Sequence, residues 1–173
     1  LDRVDVPCLL YNVPSRTGCA LSEANVARLS KHANAWGIKE ASGDIAYATK
    51  IARYVGDDFT LWSGNDDMIA PLLSLGGSGV ISVWSNVAPQ TVHDLVAYWH
   101  DGNPQKAREI QLANLDLIHA LFCDVKLVLR YSKAQIRRAV LTYVLDYHIY
   151  VYVFFCKRGE NLCRDTRLID HTS

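Results

Sequence analysis

Several signals that would assign a chemistry at once are missing from these 173 residues. No strand-like run is followed by GxGxxG or a Walker loop, so nucleotide binding has no motif behind it. The six histidines show no HxH or HExxH spacing, which argues against a metal site. No GxSxG elbow is present to present a serine nucleophile. The five cysteines (Cys8, Cys19, Cys123, Cys156 and Cys163) are odd in number and form no CxxC pair. A disulfide framework or zinc site is therefore not expected, and a reducing, cytoplasmic setting fits better. Charge of one sign is not in excess: 18 Lys and Arg balance 18 Asp and Glu. Neither a nucleic-acid partner nor a membrane surface is expected of such a chain. The stretch 140–155 is apolar but is interrupted by Asp146 and His148. It also falls short of the roughly 20 apolar residues of a spanning helix. No signal peptide is recognisable, and Leu1-Asp2-Arg3 reads as a start inside a larger protein.

What is present is an alternation. Short apolar runs at 6–11, 36–40, 59–63 and 79–83 read as buried strands. Between them lie helical signals. Ser22 can cap a helix over 23–33, and Asp44 one with Ile45, Ala48, Ile51 and Val55 on one face. Asp66-Asp67 opens a third, stopped at Gly76-Gly77. Pro89 suits the first turn of a fourth, and Asn103-Pro104 starts a fifth that runs to Leu121. The NVPSRTG segment at 12–18 reads as a loop. The resulting β-α-β-α-β-α-β-α-α order predicts an α/β fold with a parallel sheet. Four βα units make half of a (β/α)8 barrel, with a flavodoxin-like open sheet as the alternative. Residues 127–173 fit neither period and carry no assignment.

In a parallel barrel the reacting groups stand at the C-terminal ends of strands. Lys39 lies in such a place, with Gly37 and Ala41 on its own face leaving room beside it. Burial there would lower its pKa and free a neutral amine to attack a carbonyl. The plainer reading is a strand-end lysine paired with Glu40. Tyr11, ending the first strand, could relay protons or simply pack. Arg16, in the Pro-Ser-Arg-Thr-Gly loop, could clamp a carboxylate or merely be exposed.

YNVPSRTG at 11–18, GIKEASGD at 37–44, LWSGNDD at 61–67 and LGGSGVISV at 75–83 strongly resemble the dihydrodipicolinate synthase family of pyruvate-dependent aldolases. The resemblance covers residues 6–123 and holds in order and spacing. It implies a TIM barrel of which residues 1–88 hold strands five to eight, with added helices over 89–126 and a divergent tail over 127–173. Lys39 falls on the family's Schiff-base lysine and Tyr11 on its proton-relaying tyrosine. Arg16 falls on the residue that receives the aldehyde's carboxylate. Gly64 falls in the turn lining that site, and Ile81 on the residue whose carbonyl faces pyruvate. The implied activity is condensation of pyruvate with aspartate semialdehyde in lysine and diaminopimelate biosynthesis, by a homo-oligomer that needs no metal or organic cofactor.

Two departures qualify the resemblance. The family's Gly-Gly-Thr-Thr-Gly-Glu segment is absent, and with it the threonines of the proton relay. After Phe122 the family's Asn-Pro-X-Pro-X-Lys stretch is replaced by Cys123-Asp124-Val125-Lys126 and an unrelated tail, as a truncated or frameshifted gene copy would give. Related lyases acting on N-acetylneuraminate or sugar acids share the lysine and tyrosine but usually lack the loop arginine. An inactive, oligomerising remnant is the non-enzymatic alternative.

Overall fold

The computed structural model describes residues 1–3, 5–122 and 152–153. The tail expected at 127–173 lies outside them, apart from Tyr152 and Val153. Four strands run parallel: β1 (Cys8–Asn12), β2 (Ala35–Glu40), β3 (Thr60–Ser63) and β4 (Gly79–Ser82). They lie side by side in the order in which the chain makes them. A short strand, β5 (Tyr152–Val153), pairs antiparallel with β4.

Neighbouring parallel strands need a crossover, and each interval supplies one: α2 (Glu23–Leu29), α3 (Ile45–Ala52) and α4 (Ile69–Ser74). Right-handed crossovers that always step in the same direction stack their helices on a single face of the sheet. The four strands show no reversal of order, so the winding is that of a barrel and not of a doubly wound sheet. After β4 come α5 (Pro89–His100), α6 (Pro104–Ala113) and α7 (Leu115–Phe122). Among the described residues no helix is long and apolar enough to cross a membrane.

The caps are where the residue types put them. Ser22 accepts from Asn25 N, Asp44 from Tyr47 N and Asn103 from Lys106 N. Each satisfies a donor that the first helical turn leaves open. Four expectations are corrected. The helix expected over 23–33 stops at Leu29, because His32 closes a tight return into β2, its Nδ1 accepting from Asn34 N and its carbonyl from Ala35 N. The Asp66-Asp67 start forms a 3-10 turn before α4, since the Asp66 side chain reaches away to Val83 N and Trp84 N instead of capping. The single helix expected from 104 to 121 breaks at Asn114, whose side-chain amide donates to the Ile110 carbonyl. The loop expected at 12–18 contains one helical turn, α1 (Pro14–Thr17), ended by Gly18 at φ 71°. A side chain there would be strained in that left-handed conformation.

Two cores result. One lies between β1–β3 and the helices α2 and α3, with Val26, Ile38, Ile51, Phe59 and Leu61 buried. The other joins α4 and β4 to α5, α6 and α7 through Ile69, Leu73, Val80, Trp84, Leu95 and Ile118. Each fully buried aliphatic or Phe side chain contributes ~1.5–3 kcal/mol relative to exposure.

Candidate active site

Strand pairing sets the site. Tyr11 of β1 stands opposite Lys39 of β2, and Lys39 opposite Trp62 of β3. Strand alternation puts these three on the face away from the crossover helices, since Leu10, Ile38 and Leu61 pack into the helix-side core. The Lys39 ammonium lies over the Tyr11 ring, 4.2 Å from its centroid. That contact is a cation–π attraction. Trp62 walls the other side and is buried. Burial pushes the Lys39 pKa below the ordinary lysine value, and the carboxylate of Asp66 pulls the other way. The cause is that an ammonium stripped of water loses more than a neutral amine does.

Gly64 follows β3 and closes in on the lysine. A Cβ there would stand 2.6 Å from the Ala41 Cβ and 3.1 Å from the Lys39 Cε. Its N–H donates to the Glu40 carbonyl at 2.7 Å. Only glycine lets the turn lie this close to the strand that bears the lysine. Ile81 is buried in β4, where Val153 pairs with it. Arg16 sits in α1 at the same end of the sheet as Tyr11, is exposed, and forms no hydrogen bond or ion pair with Tyr11 or Lys39. Tyr11, Lys39 and Gly64 are thus brought together, whereas Arg16 stands apart from them in the exposed turn of α1.

Glu40 is not the partner of Lys39. It points to the opposite face, where its two oxygens accept from Asn12 Nδ2 at 2.7 Å and from Ser42 N at 2.6 Å. Asn12 Oδ1 in turn accepts from Leu21 N at 2.9 Å. A second buried hub is Asp66, whose Oδ2 accepts from Val83 N at 3.0 Å and Trp84 N at 2.8 Å. Burial raises the Asp66 pKa. Gln111 of α6 donates to the Asp66 carbonyl at 2.8 Å and accepts from Ala70 N, tying the added helices to the turn. Reading along the strands missed Asn12, Glu40 and Asp66. The first two carry a legible signal: a polar residue directly after Tyr11 and after Lys39, on each of two adjacent strands.

A one-directional parallel βα sheet with a half-desolvated lysine at a strand mouth defines an α/β protein of the TIM-barrel class. The family model for the dihydrodipicolinate synthetase family matches residues 1–140. The chain is 49% identical over 120 residues to 4-hydroxy-tetrahydrodipicolinate synthase of Alkaliphilus oremlandii, covering 69% of this chain and 41% of that one. It is 48% identical over 124 residues to the enzyme of the same name from Caldicellulosiruptor saccharolyticus, covering 72% and 42%. The crystal structure of dihydrodipicolinate synthase from Thermotoga maritima superposes with a TM-score of 0.69 at 41% identity, over 72% of this chain and 43% of that one. The chain belongs to the dihydrodipicolinate synthetase family. It spans about two-fifths of the length of the curated relatives it matches.

Proposed function

We propose that this chain carries the Schiff-base lysine of a pyruvate-dependent aldolase that condenses pyruvate with aspartate semialdehyde in lysine and diaminopimelate biosynthesis. The observation that carries the reading is Lys39 itself, depressed in pKa by burial and set over the ring of Tyr11. An amine that sheds its proton more readily attacks a ketone more readily.

The Lys39 amine adds to the pyruvate carbonyl carbon, and loss of water leaves an imine. The imine draws electrons and acidifies the neighbouring methyl group. Tyr11, in contact with the amine, relays protons as that methyl loses one and the enamine forms. The enamine carbon bonds to the aldehyde carbon of aspartate semialdehyde, whose carboxylate Arg16 receives with its planar fork. The amine of that substrate then displaces Lys39 from the imine carbon and closes the ring. Gly64 leaves space for the aldehyde substrate, and the Ile81 carbonyl faces the pyruvate. On this reading residues 1–88 are strands five to eight of the barrel with their helices, residues 89–126 are helices added to it, and residues 127–173 are a divergent tail. The barrel works without metal or organic cofactor, as a homo-oligomer in the cytoplasm.

Borohydride reduction in the presence of pyruvate tests the lysine. Mass spectrometry should find one adduct, on Lys39, and Lys39→Arg should abolish it, because a guanidinium stays protonated. An adduct on Lys31 or Lys50 instead would sink the assignment.

A further inference from the structure

Asn12 and Glu40 are 1% and 3% exposed, and each directly follows a residue of the proposed reacting pair. They also stand opposite each other in the β1–β2 register, so they face one another as Tyr11 and Lys39 do, on the other side of the same two strands. The backbone ladder is ending here: its last tie between the two strands is Ala41 N to the Asn12 carbonyl, at 2.9 Å. Beyond it the side chains take over. Ser42 N donates to Glu40, Asn12 Nδ2 donates to Glu40, and Leu21 N donates to Asn12 Oδ1. The three bonds form one chain, buried at its centre and partly buried at its two ends, from the exit of β2, across β1, to the end of the segment that carries Arg16. The orientation of the Asn12 amide is unambiguous, since one end must accept and the other donate. Every polar atom of both side chains that faces another group has a complementary partner, as a buried network requires.

We propose that Asn12 and Glu40 are positioning residues: their buried bridge holds Tyr11 against Lys39 on the opposite face and anchors the Arg16 segment through Leu21. The proposal rests on the reading of Lys39 and Tyr11 as the reacting pair. β1 has a described strand on only one side, so its end is held laterally by β2 alone. A slip of one residue would turn Asn12 toward Lys39 and Tyr11 away from it. The bridge opposes that slip at the strand end, where the ladder no longer can.

The donor and acceptor roles can be exchanged, and that is the test. In Glu40→Gln one of the two donors, Asn12 Nδ2 or Ser42 N, meets an NH2 group in place of an oxygen. In the double variant Asn12→Asp/Glu40→Gln all three bonds return, the one between positions 12 and 40 with its polarity reversed: Gln at 40 donates to Asp at 12, which still accepts from Leu21 N, and Gln still accepts from Ser42 N. The readout is the ε-CH2 signal of Lys39 in the full chain labelled with 13C-lysine, assigned by its loss in Lys39→Arg. In the unmutated protein the Tyr11 ring should displace this signal upfield of Lys31 and Lys50. Glu40→Gln should collapse the displacement in folded protein, and the double variant should restore it. Pyruvate trapping on Lys39 should slow roughly 10- to 100-fold in Glu40→Gln, the scale of a misplacement of about 1 Å, and recover in the double variant.

A purely structural bridge would lower the melting temperature of Glu40→Gln and leave the Lys39 signal where it was, which overturns the proposal. An unmutated protein without the displacement overturns it as well. Should Glu40→Gln fail to fold, the double variant decides: a folded chain with the displaced signal supports the bridge, and a chain that is unfolded or has lost the displacement refutes it. A Lys39 signal that follows the bridge in a protein that traps no pyruvate would refute the catalytic reading and leave the positioning intact.

Discussion

On one face of β1 and β2 stand Tyr11, 50% exposed, and Lys39, partly open; on the other, one residue further along, stand Asn12 and Glu40, 1% and 3% exposed. The same backbone thus carries an open pair and a closed pair. In the closed pair each polar atom meets a complementary one, and the result is rigidity. In the open pair a cation rests on an aromatic ring without an ion-pair partner among the described residues, and burial depresses its pKa. The open face of this sheet is left incompletely satisfied, and the face behind it is satisfied and ordered.

Substitutions on the two faces should therefore separate activity from stability. Tyr11→Phe keeps the ring beneath Lys39 and removes only the hydroxyl. Exchange of pyruvate methyl protons with deuterated water, followed by NMR, should slow about 10²–10⁴-fold, the usual contribution of a positioned proton relay. The melting temperature should barely move, because the side chain is half exposed. Ile38→Ala, one residue before the lysine on the closed side, should do the reverse. Ile38 is fully buried against the helices, and its truncation should cost about 2–5 kcal/mol in chemical denaturation. Lys39 trapping in the folded fraction should survive. If Tyr11→Phe destabilised as much as Ile38→Ala, the two faces would not be distinct in the way described.

How much of this could be read along the chain depends on range. The strands at 36–40 and 59–63 and the caps at Ser22, Asp44 and Asn103 were legible because each rests on neighbours within a few residues. The contact of Tyr11 with Lys39 needed the β1–β2 register, which the strand ends by themselves do not give. The Glu40 bridge was not legible, since its partner lies 28 residues away and an adjacent lysine offered a local alternative. The detour of Asp66 to Val83 escaped for the same reason, whereas the break at Asn114 is local: its amide turns back onto the Ile110 carbonyl, a choice of backbone partner that periodicity does not encode. Arg16 is the opposite case, conspicuous in the sequence and without a contact to Lys39 or Tyr11.

Gly64→Ala tests the contact between the two faces at their shared edge. The added methyl would collide with Ala41 and crowd the Lys39 Cε, so either the turn or the lysine must move. Overpacking of this kind costs about 1–3 kcal/mol. Because the displaced atom belongs to the open face, trapping on Lys39 should slow together with the loss of stability. A variant with lowered stability and unchanged trapping kinetics would show that the turn yields and the lysine does not.

The smallest expected effect lies at Tyr47 of α3, an exception among the described residues to the full satisfaction seen at Asn12 and Glu40. Its hydroxyl is buried without a hydrogen-bond partner. Burial, then the charges of Glu40 and Glu23, raise its pKa from 10.0 to about 12. The folded state therefore holds the phenol's proton more tightly than the unfolded chain does. The resulting stabilisation is complete below pH 10 and drains away as the pH climbs toward about 12, because unfolding then releases a proton. Tyr47→Phe has no proton to lose and should escape that decline. At neutral pH it should gain about 1 kcal/mol, the lower end of the cost of an unsatisfied buried hydroxyl. Denaturation of both proteins in parallel from pH 7 to 12 isolates this one residue, since all other titrating groups cancel in the difference. A difference that does not widen above pH 10 would mean that the hydroxyl reaches water. Lys39 and Tyr47 would then no longer share what the comparison assigns them: each, short of a polar partner, is pushed toward its neutral form, one on the open face of the sheet and the other with its hydroxyl buried.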